Sequence, residues 1–119
     1  MARSILIVDD DPAFRELARR LVTAAGLTVV GEAATATEAL AVARELRPDA
    51  ALVDIDLPDR SGVALAHELT ALPFRPRAVL TSDDAEAAPQ QAVERSGASA
   101  FVYKGDLADG TLRQLLGSD

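Results

Sequence analysis

Short apolar runs alternate along the chain with longer segments whose apolar residues recur at helical spacing. Five runs have the length and continuity of buried strands, at 4–8, 27–30, 50–53, 77–81 and 100–103. After each run, apolar residues recur every three or four positions, as they do on one face of a helix. The alternation predicts an α/β domain in which helices cover both faces of a parallel sheet.

Proline and capping residues set the expected helix boundaries. Asp11 followed by Pro12 is typical of a helix start, and Leu17 belongs to the predicted apolar face of that helix. The fourth helix, expected over about 84–96, is the weakest because its inward positions are mostly alanine and Pro89 falls within it. An interior proline costs a helix about 3 kcal/mol, so we expect this helix to begin near Pro89 or to be irregular.

Carboxylates follow two of the predicted strands at the point where each strand ends. Asp9 and Asp10 come after the first run, and Asp54 comes after the third. The carboxyl ends of parallel strands meet at one edge of the sheet, which is where open α/β sheets bind ligands. Three carboxylates repel one another in a small site, and a hard divalent cation with oxygen ligands relieves that repulsion. The sequence therefore predicts a Mg²⁺ site made by these acids.

A hydroxyl and an ammonium group follow the last two strands. Thr81 ends the fourth apolar run and Lys104 follows the fifth. Next to clustered acids and Mg²⁺, both groups can contact the oxygens of a phosphoryl group.

This set of residues resembles the response-regulator receiver domains of two-component systems, from Ile5 to about Leu116. The match comprises Asp9-Asp10, Asp54, Thr81-Ser82 and Lys104, each at the end of a separate strand. The resemblance implies one receiver domain over 1–119 with the flavodoxin-like (CheY-like) fold, a doubly wound sheet of five parallel strands in the order 2-1-3-4-5. The strand order is therefore part of what the resemblance implies.

The resemblance also implies the chemistry. Asp54 would accept a phosphoryl group from a sensor histidine kinase or a histidine phosphotransfer protein. Asp10, Asp54 and the backbone carbonyl of Asp56 would coordinate Mg²⁺, with Asp9 acting mainly through metal-bound water. The domain would catalyse only its own phosphorylation and dephosphorylation, and so would not be an enzyme acting on other substrates.

Phosphorylation would act on a distant surface through two switch residues. Thr81 and Lys104 would draw toward the new phosphoryl oxygens, and the space left by Thr81 would admit the aromatic ring of Phe101. Ordinary core packing is the alternative role of Phe101. The output surface would be the fourth helix, the last strand and the last helix, where a homodimer, an effector domain or a separate target could read the state.

Several residues modify the family pattern. Asp56, Ser82 and Asp83 lie next to the acceptor or to Thr81 and are expected to modulate the phosphorylation rate. The two acids could position a hydrolytic water or hinder phosphorylation by repulsion, and the sequence leaves both open. Gly105 follows Lys104 where the family commonly has proline.

Composition and charge narrow the partners. The net charge of −7 argues against nucleic-acid binding by the domain itself, which needs a basic face. No apolar run reaches the roughly 20 residues that span a bilayer, and the absence of cysteine excludes disulfides and thiolate metal sites. A cytoplasmic location, with no membrane association, is the matching expectation.

Three arginines of the first helix have two interpretations, whereas the one histidine has a single expected role. Arg15, Arg19 and Arg20 lie off the apolar face of the first helix, as a solvated surface or as a docking patch for an acidic kinase partner. His67 falls off the third helical stripe and is expected to be exposed, because the chain has no second histidine to share a metal or a phosphoryl group.

Two other functions compete with a phosphorylated receiver. The first is an interaction module that keeps the fold but works without phosphorylation. The second is a small phosphohydrolase, because Asp54-Ile55-Asp56 resembles the nucleophile motif of haloacid-dehalogenase-type phosphatases. That family places its motif after the first strand, whereas here it follows the third.

Overall fold

A computed structural model describes residues 3–86 and 90–117 and shows alternating strands and helices. In chain order the elements are β1 (Ser4–Val8), α1 (Pro12–Ala24), β2 (Thr28–Ala33), α2 (Ala36–Leu46), β3 (Ala50–Asp54), α3 (Gly62–Thr70), β4 (Arg77–Ser82), α4 (Gln90–Arg95), β5 (Ala100–Tyr103), a single 3₁₀ turn (Lys104–Asp106) and α5 (Asp109–Gly117).

All five strands are parallel and lie in the order β2-β1-β3-β4-β5, so the predicted doubly wound topology is confirmed. The order of the strands changes direction at β1, between β2 and β3. In such sheets a ligand crevice opens outside the carboxyl ends of the strands at this point. The fold therefore places the ends of β1 and β3 side by side.

Residues alternate along each strand between two apolar layers. Leu6, Val53 and Leu80 point to one layer, which α2 and α3 complete. Ile7 and Leu52 point to the other layer, which α1 and α5 complete. Burial on both faces explains why the strands read as continuous apolar runs rather than as alternating ones.

The first helix begins as predicted, but its buried stripe is narrower. Asp11 Oδ1 accepts a hydrogen bond from Ala13 N, and a proline occupies the first turn. The expectation that Leu17 belongs to the buried face is wrong, because 48% of Leu17 is exposed. Phe14, Ala18 and Val22, spaced four apart, face the sheet, and Leu17 lies about 100° around the helix from Ala18.

The second strand was predicted at 27–30 and runs instead over Thr28–Ala33. Its second half contains Gly31 and Glu32, which have low strand propensity and hide the strand in the sequence. A shift in the pairing register between Ile5 and Leu6 lets β2 continue along β1.

The fourth helix is short, as its sequence indicates. It covers Gln90–Arg95, and the structure gives it no fully buried residue. The helix therefore begins close to the expected position near Pro89, although Pro89 itself lies outside the described residues. Within the described part of the chain, none of the helices is long and apolar enough to cross a bilayer.

Candidate functional site

The polar residues predicted to converge do meet at the carboxyl edge of the sheet. Asp54 is paired with Thr81 in the β3–β4 register, and Thr81 is paired with Val102 of β5. Asp9 follows β1, which pairs with β3 up to Val8. Asp9 and Thr81 are completely buried, and Asp54 is 5% exposed. The strand register brings Asp54 and Thr81 together, and Asp9 and Lys104 directly follow the ends of β1 and β5.

The three predicted acids form a compact oxygen cluster. Carboxylate oxygens of Asp9, Asp10 and Asp54 all lie within 4.8 Å of one another. Asp9 Oδ1 accepts a hydrogen bond from Asp11 N at 2.9 Å, and Asp54 Oδ1 accepts a longer one from Asp56 N at 3.3 Å. Asp10 is exposed and faces the opening. Oxygen-only donors at this spacing suit a hard cation such as Mg²⁺.

Lys104 supplies the positive charge inside this cluster. Its Nζ lies 2.8 Å from Asp9 Oδ2, 3.8 Å from Asp54 Oδ2 and 3.9 Å from Asp83 Oδ2. The same Nζ lies 4.2 Å from the ring centroid of Phe14. Lys104 is the only lysine in the chain, so no other lysine ammonium can replace it.

The electrostatics of the pocket favour neutralisation of Asp54. Burial, and then the negative charge of Asp9, raise the pKa of Asp54 from 3.8 to about 6, against the opposing charge of Lys104. Burial works against protonation of Lys104, but the hydrogen bond with Asp9 and the charges of Asp54 and Asp9 outweigh it, so the pKa of Lys104 is raised. One ammonium does not fully compensate the negative charge of three clustered carboxylates.

Thr81 adds an unsatisfied polar atom. Its Oγ1 is buried and finds no hydrogen-bond partner among the described residues. A buried hydroxyl without a partner costs about 1–3 kcal/mol, so native structures seldom keep one without a reason. Next to Asp54, this hydroxyl could donate to an oxygen atom placed on the acceptor.

The three residues expected to modulate the reaction rate occupy different environments. Asp56 and Asp83 are exposed, and the Asp83 side chain is 90% accessible while remaining near Lys104. Ser82 is completely buried, and its Oγ accepts a hydrogen bond from Asp84 N at 3.0 Å. Ser82 thus holds the loop after β4, whereas the two acids border the opening.

The loop after Asp54 is held by contacts that sequence reasoning missed. The carboxylate of Asp59 accepts hydrogen bonds from Ala36 N at 2.8 Å and Thr37 N at 3.0 Å, which ties this loop to the first turn of α2. These backbone bonds hold the pKa of Asp59 at about 2. Gly62 is also required, because a Cβ there would lie 2.1 Å from the carbonyl oxygen of Asp54. The sequence gives little sign of these contacts. It shows only a turn at Pro58-Asp59 and a glycine at the start of a helix.

The arginines of α1 are engaged within the domain. Arg15 Nε lies 3.1 Å from Glu32 Oε1, Arg19 also pairs with Glu32, and Arg20 pairs with Glu16. Hydrogen bonds from Arg19, together with the charges of both arginines, lower the pKa of Glu32 despite its partial burial. Glu32 was not predicted, because nothing in the sequence links β2 to this helix face. The pairing reduces the free positive charge available for a docking patch.

The proposed switch aromatic and its neighbour differ in burial. Phe101 is half-buried and packs against the apolar layer of α2 and α3. Tyr103 is 37% exposed, and its ring covers the backbone of Gly105, where a Cβ would lie 2.4 Å from Tyr103 Cε2. A glycine at this position, where the family commonly has proline, therefore leaves room for the Tyr103 ring. His67 is exposed on α3, as predicted.

Comparison with known proteins covers most of the chain. The family model of the response regulator receiver domain matches residues 5–116. A proposed transcriptional regulator of Pseudomonas aeruginosa is 41% identical over 102 residues, which cover 84% of this chain and 48% of that protein. The chemotaxis protein CheY of Thermotoga maritima is 30% identical over 104 residues, which cover 87% of each chain.

A solved structure extends the similarity to three dimensions. The crystal structure of a LuxR-family two-component response regulator from Aurantimonas sp. superposes with a TM-score of 0.84 at 31% identity, covering 96% of this chain and 81% of that one. The chain spans about half the length of the Pseudomonas regulator, 48%. With the receiver model matched over nearly the whole chain and the same fold around an acid pocket, the protein belongs to the response-regulator receiver domain family.

Proposed function

We propose that Asp54 accepts a phosphoryl group from a sensor histidine kinase or a histidine phosphotransfer protein in a Mg²⁺-dependent reaction. The observation that carries the proposal is the joint placement of a nearly buried acceptor carboxylate, an ammonium 3.8 Å away and an unsatisfied hydroxyl. Each of these groups has a role in phosphoryl transfer, and a merely structural pocket would not need all three.

The donor atoms around Asp54 fit the cation that the family implies. The carboxylates of Asp10 and Asp54, with the backbone carbonyl of Asp56, would hold Mg²⁺, and Asp9 would act mainly through metal-bound water. When bound, the ion would neutralise part of the negative charge that otherwise repels an anionic phosphodonor. Receiver domains typically bind Mg²⁺ in such an acidic pocket, in agreement with this assignment.

The acceptor is ionised under the conditions in which it must react. With a pKa of about 6, Asp54 is mostly a carboxylate at neutral pH even before a cation lowers that value. One carboxylate oxygen forms a bond to phosphorus while the phosphorus–nitrogen bond of the donor phosphohistidine breaks, and the departing imidazole takes a proton from solvent. The product is an acyl phosphate, which brings about two negative charges into the pocket.

Lys104 and Thr81 would hold the new group. The ammonium is already next to the acceptor, and electrostatic stabilisation of the transferring oxygens is the main contribution of such residues. Thr81 Oγ1 would gain the hydrogen bond that it lacks. Movement of Thr81 would leave space for the ring of Phe101 to turn inward. This would change the surface formed by α4, β5 and α5.

Asp56 and Asp83 would set the lifetime of the phosphorylated state, and Ser82 would act indirectly by holding the loop that carries Asp83. Both acids are exposed at the opening, where they can repel an incoming anion or orient a water molecule. Neutralising one of them separates the two effects, because repulsion changes the rate of phosphorylation and water positioning changes the rate of its loss.

Output would pass to a partner that reads the α4–β5–α5 surface, either a second copy of the chain, a linked effector domain or a separate target. Receiver domains are generally signalling modules, and we propose that residues 1–119 act as one such domain without binding nucleic acid directly. The kinase partnership also supports the expected cytoplasmic location.

The direct test is incubation with Mg²⁺ and acetyl phosphate, followed by intact-mass measurement of the native chain and of Asp54→Asn. One added phosphoryl group, lost in the variant and without Mg²⁺, is the expected result. The native chain remaining unmodified, with Mg²⁺ binding shown separately, would contradict the proposal and favour a phosphorylation-independent interaction module.

A further inference from the structure

The ring of Phe14 lies against the only lysine of the chain at the centre of the acid pocket. Lys104 Nζ is 4.2 Å from the ring centroid, well inside the roughly 6 Å at which a cation is attracted by an aromatic face. Phe14 is 9% exposed and Lys104 is 10% exposed, so water screens this contact only weakly. The attraction is therefore of the stronger, desolvated kind.

The other partners of the ammonium are all carboxylates whose charge changes during the proposed reaction. Asp9, at 2.8 Å, and Asp54, at 3.8 Å, belong to the cluster that would bind the cation. Asp83, at 3.9 Å, is 90% exposed and is a weak anchor because solvent screens it. When a cation neutralises the cluster, the pull on Lys104 from the acids weakens, whereas the attraction of the ring is unchanged.

The ring is also fixed relative to the acids. Asp11 begins the helix that carries Phe14, and Asp11 N donates to Asp9 Oδ1 at 2.9 Å. Arg15 Nη1 donates to the backbone carbonyl of Asp9 at 2.7 Å. Two hydrogen bonds thus hold the first turn of α1 against the acid at the end of β1.

We propose that Phe14 is a positioning residue, whose ring keeps the Lys104 ammonium over the acceptor while the acids are neutralised by a cation. The inference rests on the proposed phosphorylation of Asp54 and adds to it a residue that acts through Lys104. Apolar packing alone would need a side chain of similar volume, whereas positioning needs the aromatic face.

Matched substitutions separate packing from positioning. Phe14→Leu keeps an apolar side chain and removes the ring, and Phe14→Tyr keeps the ring. Phe74→Leu is the control, because it removes a second cation–ring contact, with Arg47 at 6.0 Å, far from the acid pocket. With acetyl phosphate and Mg²⁺, Phe14→Leu should be phosphorylated about 2- to 30-fold more slowly than the native chain, the factor that a cation–ring contact represents. Phe14→Tyr and the Phe74 variant should keep the native rate.

Nuclear magnetic resonance gives a second readout that needs no phosphorylation. Because the chain has one lysine, its ε-methylene signal is unambiguous, and a position over the ring shifts it upfield of an exposed lysine. The upfield position should persist in the native chain when Mg²⁺ is added. In Phe14→Leu it should be absent, and Mg²⁺ should then move the signal toward that of an exposed lysine.

The two readouts distinguish failure of the inference from failure of the proposed function. Loss of the upfield position in native protein on addition of Mg²⁺ would overturn the positioning role, as would native-rate phosphorylation of folded Phe14→Leu. If the native chain takes no phosphoryl group at all, phosphorylation of Asp54 is wrong, and the Mg²⁺ titration alone decides whether the ring holds the ammonium.

Discussion

The buried carboxylate of Asp54 destabilises the metal-free fold, and Asp54→Asn should reveal by how much. Burial raises the pKa of Asp54 from 3.8 to about 6, and a pKa change of one corresponds to about 1.36 kcal/mol. The ionised group therefore costs the metal-free protein on the order of 3 kcal/mol. Because the side chain is only 5% exposed, solvent screening removes little of this cost.

The pH dependence has a definite sign. The Asp54 carboxyl group binds a proton more tightly in the folded state than in the unfolded state. Its contribution to stability is therefore lost as pH rises from about 4 through about 6. Above that window the cost is complete and constant. The amide of the variant does not ionise. Between pH 4 and pH 7.5 the free energy of unfolding of the variant should therefore rise by about 2 to 3 kcal/mol relative to that of the native chain.

Urea unfolding in buffer containing EDTA measures this difference. Free energies of unfolding would be determined from circular dichroism at several pH values between 4 and 7.5, for the native chain and Asp54→Asn. Glu45→Gln, an exposed site on α2, controls for the loss of one negative charge. A difference between native and variant that stays flat, or shrinks, as pH rises would refute the reasoning.

Three other substitutions test the site and its supports. Gly62→Ala should destabilise the fold by about 1–3 kcal/mol and slow phosphorylation, since its Cβ would meet the Asp54 carbonyl oxygen at 2.1 Å. Gly110→Ala, where a Cβ meets nothing within 4 Å, should stabilise the fold by about 0.5–1 kcal/mol; equal effects in urea unfolding would contradict the close approach. Thr81→Val should raise the unfolding free energy by about 1 kcal/mol and slow phosphorylation, so a variant less stable than the native chain would show that the hydroxyl already has a partner. Asp59→Ala should lower the melting temperature above about pH 4 and lose its effect as pH falls through about 2, because the folded-state pKa is depressed; an unchanged melting temperature at pH 7 would show that the tie to α2 contributes nothing.

The sequence predicts the fold and the central residues because both depend on backbone pattern. Continuous apolar runs define strands buried on both faces, and a parallel sheet brings their carboxyl ends to one edge. Four polar residues come directly at or after the end of such a run, namely Asp9, Asp54, Thr81 and Lys104. The strand order is therefore enough to predict that they lie close together. Their roles in phosphoryl transfer follow from the family resemblance and stay predictions.

The supporting contacts could not be predicted because they join residues that only the tertiary fold brings together. Phe14 reads in the sequence as one more core residue, and nothing there indicates that its ring receives the ammonium of Lys104, 90 positions away. The same holds for Glu32, which pairs with arginines of α1. The sequence pattern also placed the end of β2 too early, because the polar stretch after Val30 continues the strand by pairing with β1.

The raised pKa of Asp54 and the cation binding proposed for the pocket would have the same origin. Both arise because buried carboxylates next to one another favour whatever adds positive charge, and a proton and Mg²⁺ compete for the same oxygens. If the pocket binds Mg²⁺ as proposed, the Mg²⁺ affinity should fall as pH drops below about 6, in the range where Asp54 binds its proton. By the same linkage, the cation must lower the pKa of Asp54 and return the stability that the ionised acceptor costs. Lys104 relieves only part of the repulsion among the three carboxylates, so under the proposed function a cation would bind before the phosphoryl group arrives.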